Sequence, residues 1–109
     1  NVGQDNNIII GNNCLFSDNI ELWASDTHNI LDLNNNIINN EKPVQVEDNV
    51  WIGSKVVILK GVTIKKGSVI GMGSVVTKNV PSYVISAGNP NRTIKEGIKW
   101  TLEYASSHY

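Results

Sequence analysis

Six consecutive hexapeptides run from Val46 to Pro81, and their period limits the folds open to this chain. They read VEDNVW, IGSKVV, ILKGVT, IKKGSV, IGMGSV and VTKNVP. The first place is always Ile or Val, the fifth is Val or Ser, and the fourth is Gly or Asn in five of the six. A helix repeats about every 3.6 residues and a plain strand about every 2, so neither gives a period of six. The pattern therefore predicts an all-β repeat.

Six residues accommodate one short strand and one tight turn. The branched first residue and the small fifth residue are predicted to point inward. The fourth is predicted to turn the chain through positive φ, which Gly and Asn tolerate. Lys55 takes that place in the second hexapeptide, so we expect a mildly strained turn there. Because a single unit cannot bury an apolar face, the units must stack into a solenoid.

The same frame continues towards the amino terminus and then lapses. The first places upstream are Ile10, Phe16 and Leu22, and the turns are Asn13 and Asn19. Between about residues 26 and 43 the chain is polar and Asn-rich, which predicts a loop that leaves the solenoid. Long loops without their own secondary structure are often functional. This loop carries His28, one of only two histidines.

The repeat ends before the last part of the chain, and we divide the sequence into a solenoid over residues 1–90 and a tail over 91–109. In the tail, Ile94, Ile98 and Leu102 recur at helical spacing, with Asn91 or Thr93 as a candidate cap. This spacing predicts a short C-terminal helix that closes one end of the solenoid. The second histidine, His108, lies in the tail, and no role is predicted for it.

Composition excludes several functional classes. A chain of 109 residues fits one domain, and its net charge of −1 gives no electrostatic case for binding nucleic acid or an anionic membrane. No apolar run reaches the roughly 18 residues of a membrane span. The single cysteine, Cys14, falls on an inward place, which indicates a buried thiol and a reducing, cytoplasmic compartment. The chain begins inside the repeat, so we expect either a fragment or an unusually short solenoid.

The run NVWIGSKVVILKGVTIKKGSVIGMGSVVTKNVP, followed by AGNPNRTIKE, resembles the C-terminal half of the hexapeptide-repeat acyltransferases. Within that superfamily the chain is similar to galactoside and maltose O-acetyltransferases and to bacterial polysaccharide O-acetyltransferases, and its SDTHNILD segment resembles the polysaccharide group more. The resemblance implies a left-handed parallel β-helix, an exception to the usual right-handed crossover. It also implies a homotrimer that holds acetyl-CoA between neighbouring solenoids and requires no metal.

Acetyl transfer from a thioester to a hydroxyl needs a base that removes the hydroxyl proton, and histidine suits this work near neutral pH. The resemblance implies such a base on the interrupting loop. His28 stands there, one position later than the galactoside enzymes' pattern would place it. A carboxylate often fixes the tautomer of a catalytic histidine. Asp26 and Asp32 are the candidates, and we prefer Asp26 because residues two apart in an extended segment project to one side.

The resemblance also implies which residues contact the coenzyme. Ser54 matches a position whose backbone N–H meets the thioester, a candidate oxyanion donor. Trp51, on an outward place, is expected either to wall the acetyl or pantetheine channel or to pack between subunits. The other coenzyme candidates are Met72 along pantetheine, Thr77 and Lys78 near the nucleotide, and Arg92 and Lys95 at the phosphates. Lys95 stands where Arg is common and would lose bidentate geometry.

For the acceptor, the candidates are Asp5 and Trp23, whose indole is expected to stack on a sugar ring or to pack in an interface. The sequence predicts an acetyl-CoA-dependent O-acetyltransferase that acts on a sugar hydroxyl of a glycan or glycoside, by direct transfer with His28 as base. The alternatives are N-acetylation of an amino sugar, acetylation of a xenobiotic or serine, and a non-catalytic scaffold or fragment. A zinc carbonic anhydrase on such a solenoid needs about three histidine ligands, and the chain has two histidines.

Overall fold

The computed structural model describes residues 8–25, 28–40 and 42–102. In this part of the chain all regular structure is β, arranged as a solenoid of stacked coils. The strands are β1 (Ile8–Ile10), β2 (Leu15–Phe16), β3 (Glu21–Leu22), β4 (Val44–Val46), β5 (Trp51–Ile52), β6 (Val57–Ile58), β7 (Thr63–Ile64), β8 (Val69–Ile70), β9 (Val75–Val76), β10 (Val84–Gly88) and β11 (Asn91–Glu96).

Three sheets form the sides of the solenoid. Sheet A has the order β1-β4-β7 and sheet C the order β3-β6-β9, and all their pairs are parallel. Sheet B has the order β2-β5-β8-β10-β11, in which only the last pair is antiparallel. Val46 pairs with Ile64, and Ile52 with Ile70. Three hexapeptides therefore complete one coil.

The predicted inward positions form the core. The buried first places are Val46, Ile52, Ile58, Ile64, Ile70 and Val76, and the buried fifth places are Val50, Val56, Val62, Ser68, Ser74 and Val80; none is more than 1% exposed. Full burial of one such aliphatic side chain contributes about 1.5–3 kcal/mol. Because a slip by one residue would turn a whole inward row to solvent, this burial fixes the register of the coils.

The predicted turns are confirmed in five of the six hexapeptides. Their φ angles are 59° at Asn49, 61° at Lys55, 76° at Gly61, 75° at Gly67 and 76° at Gly73. Lys55 therefore carries the predicted strain, which costs about 1 kcal/mol for a residue with a Cβ. The prediction is wrong at Asn79, which lies outside the set of positive φ angles. There the side-chain Oδ1 accepts the N–H of Thr63 at 2.8 Å as the last coil changes its spacing.

The first coil in the described residues follows the same pattern but is less covered. Asn13 and Asn19 both turn at φ 60°, as predicted. The inward side chains Cys14, Phe16, Ile20 and Leu22 are partly buried against the core. The Cys14 thiol is therefore half-buried rather than buried, with its Sγ 3.1 Å from the carbonyl oxygen of Glu47. Within the described residues only one neighbouring coil packs on this one, which accounts for the lower burial.

The predicted loop lies between β3 and β4. At its base the N–H of Lys42 donates to the carbonyl of Ala24 at 3.3 Å, so that β4 resumes the solenoid one coil further on. Further out, the N–H of Ile38 donates to the carbonyl of Ile30 at 2.8 Å, and Leu31 bridges Ile37 in antiparallel register. The part of the loop that is described is thus a small hairpin.

The helix predicted from Thr93 is wrong for the described residues. Residues 91–96 form β11, antiparallel to β10. The physical reason is that β10 ends the parallel stack with one edge unpaired, and the tail satisfies the N–H and C=O groups of that edge. Gly97, at φ 68°, then turns the chain out of the sheet. Residues 103–109, with His108, lie outside the described residues, and among those described no helix is long and apolar enough to span a membrane.

Candidate active site

The outer face of sheet B carries one continuous row of side chains. Successive strands place Leu15, Trp51, Val69, Ile85 and Lys95 opposite one another. The row faces outward because residues alternate along a strand and the next residue on three of these strands, Ile52, Ile70 or Ser86, is buried. Strands lie about 4.8 Å apart, so the row spans about 14 Å from Trp51 to Lys95.

A β-bulge places both predicted phosphate-binding residues on this face. In a regular strand, residues three apart would point to opposite faces. Here Arg92 pairs with Ala87 and Lys95 with Ile85, and the register shifts between these two pairs. Since Ile85 and Ala87 are two residues apart on β10, they share a face, and so do their partners. Arg92 and Lys95 are both exposed and lie on the same outer face as Trp51.

Ser54 and Met72 stack at the corner where the chain leaves sheet B for sheet C. The N–H of Gly73 donates to the Ser54 carbonyl at 2.9 Å, which aligns the two turns. Met72 is 75% exposed, and a Cβ at Gly73 would meet no atom within 4 Å. The Ser54 N–H has no hydrogen-bond acceptor within the described residues. The corner therefore presents an open surface with an available backbone donor.

His28 lies exposed on the loop, and its backbone is held from the returning limb of the hairpin. The Asn39 side chain donates from Nδ2 to the His28 carbonyl at 2.8 Å and accepts the Ile30 N–H at its Oδ1 at 2.5 Å. These bonds fix the backbone on both sides of residue 29. They involve the His28 carbonyl and not its imidazole. Sequence reasoning missed Asn39, because nothing distinguishes it among the many asparagines of this segment.

The Asp32 carboxylate is engaged in the turn of the hairpin. Its Oδ1 accepts the N–H groups of Asn36 and Asn34 at 2.9 and 2.8 Å, and its Oδ2 accepts Nδ2 of Asn36 at 3.2 Å. Hydrogen bonds from the Asn36 backbone, the Asn36 side chain and the Asn34 backbone lower the pKa of Asp32. Asp32 thus caps a turn. Asp26, the preferred partner of His28, lies outside the described residues, as does Asp5.

The Asp32 turn is expected to open in acid. Since the folded-state pKa of Asp32 is lowered from its ordinary 3.8, the carboxylate stabilises the hairpin above that value, and the contribution is lost as pH falls through the folded-state pKa. Amide chemical shifts of Asn34 and Asn36, followed by NMR, should titrate with a midpoint below 3.8. Asp32→Asn should remove this titration. A midpoint at or above 3.8 would contradict the turn described.

The other predicted residues lie at the far ends of the sheet C strands, where the chain leaves this sheet. We call this side of sheet C the loop edge. Ser54 and Met72 precede its parallel strands β6 and β9, whereas Thr77 and Lys78 directly follow β9, and the His28 loop follows β3. Thr77 and Lys78 are both exposed. The two edges are separated by about five extended residues, roughly 15 Å. Within one chain, Trp51, Arg92 and Lys95 share the outer face of sheet B, and Ser54 and Met72 lie at the adjoining corner. Thr77 and Lys78 lie at the far ends of the sheet C strands, on the side where the His28 loop begins.

Trp23 shares the edge with His28. Its N–H donates to the Ile58 carbonyl at 2.8 Å, which aligns it with the coil below, and its indole Nε1 donates to Oε1 of Glu21 at 3.0 Å. The side chain is 42% exposed. An oriented and exposed indole beside the loop suits stacking on an apolar ring face. Among the residues that the structure describes, no cluster of three or more His, Cys, Asp or Glu side chains has the geometry to hold a metal ion.

Sequence reasoning also missed a contact between the tail and the row on sheet B. The Trp100 ring lies 5.9 Å from the Trp51 ring, centroid to centroid, at an interplanar angle of 50°. Trp100 Nε1 donates to the Asn49 carbonyl at 2.6 Å. The predicted helix obscured this contact, since the path of the tail depends on its pairing with β10.

Comparison with known proteins agrees with this geometry. Residues 43–78 match the bacterial transferase hexapeptide (six repeats) family. A polysialic acid O-acetyltransferase of Escherichia coli O1:K1 is 46% identical over 95 residues, 86% of this chain and 31% of the relative. A crystal structure of a polysialic acid O-acetyltransferase superposes with a TM-score of 0.88 at 35% identity, covering 92% of this chain and 48% of that one.

A galactoside acetyltransferase solved in complex with coenzyme A superposes with a TM-score of 0.71 at 42% identity, covering 82% of this chain and 44% of the other. The chain thus spans between 31% and 48% of the length of these relatives. The predicted fold class is confirmed as a left-handed parallel β-helix. Over residues 43–78 the chain thus carries the bacterial transferase hexapeptide repeat, and in sequence and fold it is similar to the hexapeptide-repeat acyltransferases.

Proposed function

We propose that the chain forms the coenzyme-binding and catalytic part of an acetyl-CoA-dependent O-acetyltransferase that modifies a hydroxyl group of a glycan. The alignment on the outer face of sheet B carries this proposal. Trp51 stands on a strand about 14 Å from the strand that carries Arg92 and Lys95, with the Ser54 N–H at the adjoining corner. An extended thioester with phosphates at its far end matches this distribution of apolar and cationic groups.

The residues divide the binding of acetyl-CoA among them. Arg92 and Lys95 would pair with its phosphates, Met72 would lie along its pantetheine arm and Trp51 beside the acetyl end. Thr77 and Lys78, at the other edge, would approach the nucleotide from a neighbouring chain. The Ser54 N–H would donate to the thioester carbonyl oxygen as negative charge develops on it during attack.

His28 acts as the general base in this scheme. Its imidazole takes the proton of the acceptor hydroxyl while the hydroxyl oxygen attacks the acetyl carbonyl carbon. The carbon–sulfur bond then breaks, and the imidazolium returns the proton to the leaving thiolate. Asp26 would hold the imidazole tautomer. Transfer is direct, because the only thiol, Cys14, is partly buried at the inner side of the solenoid rather than beside Trp51.

The separation of the two edges of sheet C supports a site shared between chains. In one chain the His28 loop leaves β3 at the end of the sheet C strands that is opposite to the Ser54 corner, roughly 15 Å along those strands. In a closed cyclic assembly the loop edge of one solenoid faces the Ser54 corner of the next. A homotrimer with three such sites meets this requirement, and Trp23, beside the loop, would then receive the acceptor sugar.

Transfer of radiolabelled acetyl from acetyl-CoA to a panel of acceptors tests the proposed function. The panel holds polysialic acid, a galactoside, maltose and an amino sugar, with binding of acetyl-CoA followed by calorimetry. We expect saturable coenzyme binding and base-labile acetyl ester formation on a glycan hydroxyl. Base-stable label on the amino sugar alone would overturn O-acetylation. Absence of coenzyme binding at millimolar concentration would overturn the enzymatic function and favour a scaffold.

A further inference from the structure

The C-terminal segment that follows β11 crosses the turns of the solenoid and reaches Trp51. It begins after Gly97, where the Ile98 N–H donates to the Tyr83 carbonyl at 3.0 Å. It extends to Trp100, whose Nε1 donates to the Asn49 carbonyl at 2.6 Å. Tyr83 and Asn49 belong to turns two coils apart, and the segment crosses the turn at Gly67 between them. We call residues 97–102 the strap.

The strap rests on a framework that is rigid at both of its attachment points. The Tyr83 N–H donates to the Lys66 carbonyl at 3.0 Å, and the Asn49 N–H donates to the Asn12 carbonyl at 2.9 Å. Between these points the strap borders a half-open pocket of about 230 Å³, lined by Asn49, Gly67, Tyr83, Lys99 and Trp100. The strap is therefore held at Ile98 and at Trp100, and the second of these bonds holds the Trp100 ring.

Trp100 contacts the Trp51 indole in the row on sheet B. The two rings are 5.9 Å apart and tilted by 50°, within the range of favourable aromatic pairs. Trp51 is 37% exposed and lies on an outer face, where its rotamer would otherwise have few restraints. Its two neighbours in the row, Leu15 and Val69, are small or flexible by comparison. Trp100 thus supplies the large rigid surface against which Trp51 packs.

We infer that Trp100 is a positioning residue, which holds the Trp51 indole in the orientation that receives the acetyl end of the coenzyme. This inference rests on the proposed function, since it gives Trp100 a role through the part that Trp51 plays in it. The indole N–H of Trp100 fixes one side of the pair to the backbone, and the ring contact transmits this restraint to Trp51. Well-ordered positioning groups contribute strongly to rate because small misplacements of a reacting group are costly.

The test combines three substitutions at the pair. Trp100→Ala is expected to lower kcat/KM for acetyl-CoA about tenfold, and Trp100→Phe, which keeps a ring but loses the N–H, is expected to lie between it and the unchanged protein. In a Trp51→Ala background, Trp100→Ala should cause no further loss, because it acts through Trp51. Leu102→Ala, a strap substitution at a 77% exposed side chain, should leave kcat/KM within twofold.

A merely structural role gives a different result. Trp100→Ala would then lower the melting temperature while kcat/KM of the folded protein stayed unchanged, or the losses in kcat/KM caused by Trp51→Ala and Trp100→Ala would add; either result overturns the inference. Circular dichroism reports the coupling between the Trp51 and Trp100 indoles independently of activity. Trp100→Phe should abolish this signal, because it removes one of the two indoles. Should Trp100→Ala fail to fold, the same comparisons with Trp100→Phe decide. Absence of acetyl-CoA binding by the unchanged protein would overturn the proposed function instead, with the indole signal still reporting the pair.

Discussion

His28→Ala is expected to lower the rate of acetyl transfer by a factor of about 10² to 10⁴ while acetyl-CoA still binds. The loss follows from removal of the group that accepts the hydroxyl proton. Binding is retained because the coenzyme residues Trp51, Arg92 and Lys95 lie on another face of the solenoid. The variant should fold, since the His28 side chain is exposed and Asn39 bonds its backbone carbonyl, which the substitution leaves in place.

The matched control is Asn29→Ala, an equally exposed position beside His28 on the same loop. Single-turnover assays and calorimetric binding of acetyl-CoA should be made on all three proteins. Asn29→Ala is expected to transfer acetyl at close to the unchanged rate. A His28→Ala protein that turns over within a few-fold of the original would remove His28 from the mechanism, and one that loses coenzyme binding as well would indicate a structural effect instead.

Mixing two inactive variants is expected to restore activity. His28→Ala disables the loop edge, and Met72→Trp obstructs the corner along which pantetheine is proposed to lie. Each variant alone should be nearly inactive. In a randomly mixed cyclic trimer, a site built from the loop of one chain and the corner of the next has both original parts in about one case in four. The co-expressed mixture should therefore reach about a quarter of the original rate, and assemblies purified through both tags about a third, because each mixed trimer has one intact site out of three.

The control mixture combines His28→Ala with His28→Gln, two variants of the same edge. No pairing of these chains yields an intact site, so the mixture should remain at the level of its parents. Activity of the first mixture that merely equals the average of its two parents would show that each site lies within one chain. The geometry of sheet C would then require the loop to fold back over its own solenoid.

The sequence was informative where one local rule repeats along the chain. The inward positions from Val46 to Val80 follow from the six-residue period, because each coil packs on the next through the same places. The loop that carries His28 could be predicted for the same reason, because the six-residue pattern is broken there. The strained turn at Lys55 was predicted for the same reason, and its φ of 61° confirms it.

The remaining features depend on contacts that no local pattern encodes. Ile94 and Ile98 have helical spacing, yet the open edge of β10 draws residues 91–96 into a strand. The bulge that brings Arg92 and Lys95 to one face is set by that pairing, as is the path of Trp100 to Asn49, 51 residues away in sequence. Asn39 bonds the backbone at His28 and Ile30 only because the loop folds back on itself as a hairpin. Long-range pairing of this kind overrides the preference of a short segment.

The side chains in the row from Trp51 to Lys95 stand at fixed distances from one another. Each side chain in it stands on its own strand, so distances along it change only in steps of about 4.8 Å, the spacing between strands. A point substitution can alter the side chain on one strand but not the distance between two strands. Specificity for a longer or shorter ligand therefore requires the gain or loss of a whole coil, about eighteen residues, or a new bulge in β11. Such a surface selects its ligand first by length and only then by contact.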